Sequence, residues 1–296
     1  MSDTIRPRRS VLYMPGANAR ALDKAKTLAA DSLILDLEDS VAPDAKEDAR
    51  ALVAQKVAEG GYGPRELIIR INALTTPWGE ADLKAAVEAR PHAILAPKVD
   101  SAETVMDLSR RLSSAGAPPT VHLWIMMETP LAMLRAESIA AAATQEGSRL
   151  TCFVMGTNDL AKELHCTQTA DRLPLLGGLG LSLLAARAYG LTIIDGVYND
   201  IKDLDGFTQV CRQGAQMGFD GKTLIHPTQI DPCNRIFRPS DQEVGDARKI
   251  IAAFDLPENK GKGVVTVDGK MVELLHAENA KRIVAIADAI EAFNHG

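Results

Sequence analysis

The stretch HLWIMMETP, residues 122–130, reads as a short apolar strand that ends on a carboxylate, Glu128, before Thr129 and Pro130 stop it. Nothing in it alternates polar with apolar, so both faces of the strand are expected to be covered, as in a parallel sheet layered by helices. Seven other runs share this β-rich character: SVLYM (10–14), SLILDL (32–37), ELIIRI (66–71), AILAPK (93–98), LTCFVM (150–155), LTIIDG (191–196) and KTLIH (222–226). Between them lie segments such as DAKEDARALVAQKVAE and DGFTQVCRQGAQMG, with Ala, Leu and charge at helical intervals. Eight strand–helix repeats predict a closed (β/α)8 TIM barrel. The rival, a doubly wound open sheet, would leave an edge strand visibly less apolar.

The last sixty residues break this rhythm. RPSDQEVGDARKIIAAF reads as a helix begun at Ser240 or Asp241, with Glu243 in capping-box register after Ser240. LPENKGKG is a flexible linker by composition, and GVVTVDGKMVEL carries the Asp-Gly hairpin signal at Asp268-Gly269. HAENAKRIVAIADAIEAF closes the chain as an amphipathic helix. The expected organisation is a catalytic barrel over residues 1–235 and a helix–hairpin–helix extension, a lid or oligomerisation arm, over residues 236–296.

A chain of 296 residues with 46% apolar and 24% charged residues can bury a core without disulfides or structural metal. The net charge of −6 opposes nonspecific attraction to nucleic acid and to anionic membranes. MSDTIRPRRS has no apolar signal-peptide core, and no apolar run approaches the roughly 20 residues of a membrane span, which suits a cytoplasmic protein. The four cysteines (Cys152, Cys166, Cys211, Cys233) show no CxxC or Cys/His ligand spacing, as expected of reduced thiols. GKT at 221–223 fails as a phosphate loop because the required glycine is Gln216, and GGLG at 177–180 lacks dinucleotide-fingerprint spacing.

In such a barrel the C-terminal ends of the strands face the active site. Those positions hold Asp36, Glu38 and Asp39 after strand two, Arg70 and Asn72 after strand three, Lys98 after strand four and Glu128 after strand five. Asn158 and Asp159 follow strand six, Asp195 strand seven and His226 strand eight. Two carboxylates side by side repel unless a cation or proton lies between them, so Glu128 and Asp159 are candidate ligands of a hard divalent ion such as Mg²⁺. Arg70 is suited to clamp a substrate carboxylate bidentately. Set against this, Glu128 could cap the helix after Pro130 or pair with Arg70, Asp159 could cap the helix LAKEL, and His226 before Pro227 could be a hydrogen-bonded structural histidine.

The stretches RSVLYMPGANAR, LILDLEDSVAPDAKEDAR, LIIRIN, ILAPKV, MMETP, GTNDLAKEL and GFDGKTLIHPTQI, in that order, resemble the citrate lyase β-subunit-like branch of the HpcH/HpaI aldolase superfamily, which includes malyl-CoA and citramalyl-CoA lyases. The resemblance implies a barrel enzyme that uses Mg²⁺, with Mn²⁺ as a substitute, to cleave or form a C–C bond in a 3-hydroxyacyl-CoA thioester. It implies Glu128 and Asp159 as metal ligands, Arg70 at the oxo-acid end of the substrate, and Tyr13 and Lys24 beside coenzyme A; His226, by its place at a strand end, is a further candidate for substrate binding. An arginine is usual in that family where this chain has Asn18. It further implies a homotrimer or homohexamer in which the C-terminal hairpin completes a neighbour's site. The family's hairpin aspartate, which moves the proton on the acetyl-CoA carbon, is here Glu273 in GKMVEL, and the extra methylene matters because proton transfer needs heavy atoms within about 2.6 to 3.2 Å. The expected activity is therefore a Mg²⁺-dependent CoA-thioester lyase, with a malyl-CoA-type thioesterase as the alternative and a noncatalytic subunit of a citrate lyase-like complex as a second one.

Overall fold

The computed structural model describes residues 5–295. All eight expected strands form: β1 (Ser10–Pro15), β2 (Ser32–Asp36), β3 (Glu66–Arg70), β4 (Ala93–Ala96), β5 (His122–Met127), β6 (Leu150–Met155), β7 (Thr192–Asp195) and β8 (Gly221–Leu224). They pair in parallel in sequence order, and β8 closes onto β1 through Ser10–Lys222 and Leu12–Leu224, which removes both sheet edges and excludes the open sheet. The connecting helices are α1 (Ala19–Ala25), α2 (Lys46–Glu59), α3 (Gly79–Ala89), α4 (Ala102–Ser114), α5 (Pro130–Leu134), α6 (Ala136–Ala141), α7 (Thr157–Glu163), α8 (Leu176–Ala188), α9 (Leu204–Met217) and α10 (Ile230–Ile236).

The barrel is packed, not hollow. Val11, Ile34, Ile68, Leu95, Trp124, Val154 and Ile194 fill its bore, each nearly or fully inaccessible to solvent. Because strand side chains alternate, the residue two positions further along each strand points the same way, one layer nearer the mouth. Tyr13, Asp36, Arg70 and Glu128 follow Val11, Ile34, Ile68 and Met126 in this manner. At the opposite end of the strands lie matched ion pairs. Arg8 donates to Glu66 at 2.7 and 2.8 Å, and Arg9 donates to Asp31 at 2.7 and 2.8 Å.

The same alternation corrects one sequence expectation. Ile194 lies in the bore, so Asp195 faces the helix layer and not the mouth. There it is fully buried between Arg172 Nη1, at 2.7 and 2.8 Å, and Lys222 Nζ, at 3.0 Å, an ion cluster that ties β7 and β8 to the chain ahead of α8. Asn72 is likewise taken up by structure, its amide donating to Leu37 O and Asp82 Oδ2.

The compact barrel unit runs from Arg8 to Asn234, and the chain from Arg235 on, together with residues 5–7, forms a second unit. In that unit α11 (Asp241–Asp255) starts at Ser240 with the expected capping box to Glu243. The antiparallel strands β9 (Val264–Val267) and β10 (Lys270–Glu273) are joined by Asp268-Gly269, both at positive φ as a tight hairpin turn requires. Helix α12 (Leu274–His295) follows directly. No helix among the described residues is long and apolar enough to cross a membrane.

Candidate active site

Two charged groups lie at the mouth of the barrel. The first is built on β2 and β3. Asp36 is buried, and its carboxylate organises the following loop by accepting from the backbone N–H of Glu38 at 2.9 Å and of Ser40 at 3.0 Å. Lys46, at the start of α2, donates to the carbonyls of Leu37 and Glu38 from beneath. This places three carboxylates around one guanidinium. Arg70 Nε and Nη2 grip Asp36 at 2.7 and 2.8 Å, while Nη1 meets Glu38 at 2.8 Å and Asp39 at 3.2 Å. The bidentate edge expected to meet a substrate is thus committed to Asp36, and Nη1 is the part of Arg70 that faces the exposed carboxylate Asp39. The guanidinium also lies 4.8 Å from the centre of the Tyr13 ring.

Three acids cannot all ionise cheaply beside one arginine. Burial pushes the Asp36 carboxyl up, but Arg70 and the loop N–H groups outweigh it and hold Asp36 below the usual carboxylate range. Glu38 goes the other way. Burial raises it, the neighbouring Asp39, Glu128 and Asp36 add to the rise, and Arg70 only partly offsets them, so it is pushed up to about 8 and is largely protonated at neutral pH. Burial also keeps the Tyr13 phenol protonated well above its ordinary range, its hydroxyl lying 3.6 Å from Met126 Sδ.

The second group is built on β4, β5 and β6. Glu128 is buried immediately after β5. It caps no helix, since Thr129 caps α5 by accepting from Ala132 N at 3.0 Å, and it forms no hydrogen bond with Arg70 among the described contacts. Its Oε1 accepts from the backbone N–H of Lys98 at 2.7 Å. Asp159 is in the first turn of α7 rather than at its cap, which is Gly156. Between the two carboxylates lies the Lys98 ammonium, 2.5 Å from Asp159 Oδ1 and 3.7 Å from Glu128 Oε1. Lys98 reaches this position through a left-handed backbone, φ 55°, a conformation that costs a residue with a side chain roughly 1 to 2 kcal/mol. Burial raises the Glu128 carboxyl, Asp159 adds to the rise, and Lys98 and Arg70 oppose it.

Gly156 makes room for this arrangement. A Cβ there would lie 2.4 Å from Glu128 Cβ and 2.5 Å from Oε2, so only glycine lets β6 pass so close to the glutamate. Among the described residues no group of three or more His, Cys, Asp or Glu side chains is placed to hold an ion. The donor set is two hard oxygen ligands with a cation already lying between them, which fits Mg²⁺, an ion that commonly takes one or two carboxylates and keeps water or substrate oxygens elsewhere.

Lys24 is exposed in the last turn of α1, and neighbouring Lys26 is engaged with Asp23 at 3.3 Å and with the Tyr62 ring. His226 caps the turn that follows β8, its Nδ1 lying 2.8 Å from the Thr228 hydroxyl and accepting from Thr228 N at 3.3 Å. Glu273 is exposed at the end of β10, in the C-terminal unit. Lys98 is the residue whose role the sequence did not disclose. Its position after β4 was legible, but its turn toward Glu128 depends on a backbone conformation that composition does not signal.

Comparison with known proteins places the chain in a family. The HpcH/HpaI aldolase/citrate lyase family model matches residues 9–227. A (3S)-malyl-CoA thioesterase of Cereibacter sphaeroides is 52% identical over 99% of both chains. The citrate lyase subunit beta of Escherichia coli is 35% identical over 96% of this chain and 94% of its own. The structure of CitE from Mycobacterium tuberculosis in complex with magnesium, acetoacetate and coenzyme A matches with a TM-score of 0.71 at 30% identity, covering 93% of this chain and 97% of that one. The barrel, its strand-end chemistry and these matches together make the chain a member of the HpcH/HpaI aldolase/citrate lyase family.

Proposed function

We propose that the protein hydrolyses a malyl-CoA-type 3-hydroxyacyl-CoA thioester to the free acid and coenzyme A. The observation that carries a metal-assisted acyl site is the Glu128–Asp159 pair with a cation between its carboxylates, beside Arg70 at the mouth of the barrel. Hydrolysis is preferred to C–C cleavage because a (3S)-malyl-CoA thioesterase is 52% identical over nearly the whole chain. The lyase placed first by the sequence reading is supported at the level of the family, through the 35% identical citrate lyase subunit beta.

Glu128 and Asp159 would hold Mg²⁺, with Mn²⁺ as a substitute; the ion supplies Lewis-acid polarisation of a carbonyl oxygen. Arg70 holds the acid end of the substrate through Nη1. Of its two partners there, Glu38 is largely neutral at neutral pH and Asp39 is exposed at 3.2 Å, so an anionic substrate group displaces weak competitors. Asp36, ionised and bidentate, keeps the guanidinium plane fixed while this exchange occurs. Tyr13 packs under Arg70 and, still protonated, adds no negative charge beside the acid. Exposed Lys24 and Arg20 on α1 offer positive charge to the phosphates of coenzyme A. Glu273 is the carboxylate assigned to activate water: the water oxygen bonds to the thioester carbon, the C–S bond breaks, and the proton passes to the departing thiolate. The C-terminal extension completing a neighbour's site in a homotrimer or homohexamer belongs to the same proposal.

Product analysis tests it. With Mg²⁺ and malyl-CoA, malate and free coenzyme A are expected; glyoxylate and acetyl-CoA would restore the lyase, and no turnover over a panel of 3-hydroxyacyl-CoA esters would favour the noncatalytic subunit.

A further inference from the structure

Lys98 touches the Glu128–Asp159 pair at two points that differ in kind. Its backbone N–H, fixed by the left-handed turn, holds Glu128 Oε1 at 2.7 Å, and its ammonium holds Asp159 Oδ1 at 2.5 Å. The mobility of the three groups differs as well. The Glu128 side chain is 2% exposed and is boxed in by Gly156, whereas the Lys98 side chain is 37% exposed. Lysine ends in a compact point charge on a flexible stem, so it can swing into solvent without disturbing the backbone bond to Glu128. A divalent ion and this ammonium cannot both lie between the same two carboxylates, because like charges that close repel strongly.

We propose that Lys98 is a resident counter-cation: it holds Glu128 and Asp159 at receiving distance by its two ends, and its ammonium is displaced when a divalent ion binds. This rests on the reading of Glu128 and Asp159 as the metal ligands. Binding of the ion is then an exchange, and its apparent affinity is set partly by the ion pair it must break. The backbone N–H of Lys98 stays on Glu128 throughout, so the displaced ammonium remains tethered at the rim.

The test is a titration of the full-length protein with Mn²⁺, the free ion being followed by its electron paramagnetic resonance signal and Mg²⁺ competition being measured in the same samples. Wild type should bind one Mn²⁺, and K98M, which removes the competitor but keeps the backbone N–H, should bind it at least about tenfold more tightly. K98R keeps a cation at the rim and should stay within about threefold of wild type. Thermal melts add a second readout: the gain in melting temperature on adding saturating Mg²⁺ should be larger for K98M than for wild type, because without the ion its two carboxylates face each other unneutralised. K98Q, which also removes the charge and keeps the backbone N–H, replaces K98M should the latter not fold. Wild type that binds Mn²⁺, with K98M binding it equally or more weakly, would overturn the counter-cation and leave the metal site standing. Wild type that binds no Mn²⁺ at millimolar concentration would remove the metal site itself.

Discussion

The two ends of the barrel handle charge in opposite ways. At the end away from the mouth each buried acid has its own arginine, Glu66 with Arg8 and Asp31 with Arg9, at 2.7 to 2.8 Å. At the mouth five carboxylates, Asp36, Glu38, Asp39, Glu128 and Asp159, share two cations, Arg70 and Lys98. A balanced buried pair contributes to order and offers nothing to a ligand. An excess of carboxylates is tolerated only if some are protonated or if a further cation arrives, and both remedies are in view, Glu38 by its raised proton affinity and Glu128–Asp159 by the ammonium between them. The division matches the rule for this fold, in which one face carries stability and the other chemistry.

Substitutions at the two ends should therefore separate stability from activity. The largest effect is expected at Glu128. Glu128→Gln keeps the shape of a buried side chain but removes a charge that, in the proposed site, would ligate the metal and contribute several kcal/mol in the transition state, so turnover should fall about a thousandfold. Its melting temperature should change by no more than about 2 °C, since burial already disfavours the charged form. Asp31→Ala is the converse. Removing one partner of a buried pair costs about 3 to 5 kcal/mol, so thermal unfolding should drop by roughly 10 °C while kcat of the folded protein is retained. If Asp31→Ala lost activity and kept stability, the contrast between the ends would be broken.

A smaller loss is expected from Gly156→Ala. The new methyl group meets Glu128 Cβ and Oε2 inside contact distance and must move the carboxylate. A displacement near 1 Å costs about a hundredfold, to be read in kcat/KM together with weakened Mn²⁺ binding.

The smallest effect concerns pH. Glu38 has a folded pKa of about 8, above its unfolded value of about 4.3, so between these the native state binds the extra proton. Its contribution to stability is present in full below the unfolded value and is lost as pH rises toward 8. Asp36, held low, contributes in the opposite sense: its stability is present above the unfolded value and is lost as acid protonates it. Melting temperatures of Glu38→Gln should consequently decline less than those of wild type between pH 5 and pH 8. Identical slopes would mean that Glu38 titrates as an ordinary carboxylate and that the crowding at Arg70 is overstated.

These ends were not equally legible in the sequence. The strands were, because both faces of a parallel strand are covered and the residues show it as unbroken apolar runs such as SLILDL and LTCFVM. The hairpin was legible from Asp268-Gly269 and the start of α11 from Ser240 and Glu243, where local chemistry decides the backbone. The rim was legible as a set of charges but not as a set of partners. LTIIDG does not reveal which face Asp195 takes, since a fully covered strand loses the alternation that would tell, and the residue turned out to face the helices. Arg70 was read by its capacity for a bidentate clamp, whereas its fork is filled by Asp36, its parallel-strand neighbour in register. Lys98 was visible only as a charge after β4, because its place depends on one positive φ.

The most direct measurement is anomalous diffraction at the manganese absorption edge from crystals grown with Mn²⁺ and a coenzyme A thioester. A single strong peak should lie between the carboxylates of Glu128 and Asp159, with the Lys98 ammonium moved off Asp159. A peak among Asp36, Glu38 and Asp39 instead, or no peak while Lys98 still bridges the pair, would contradict the division of labour between the two ends of the barrel.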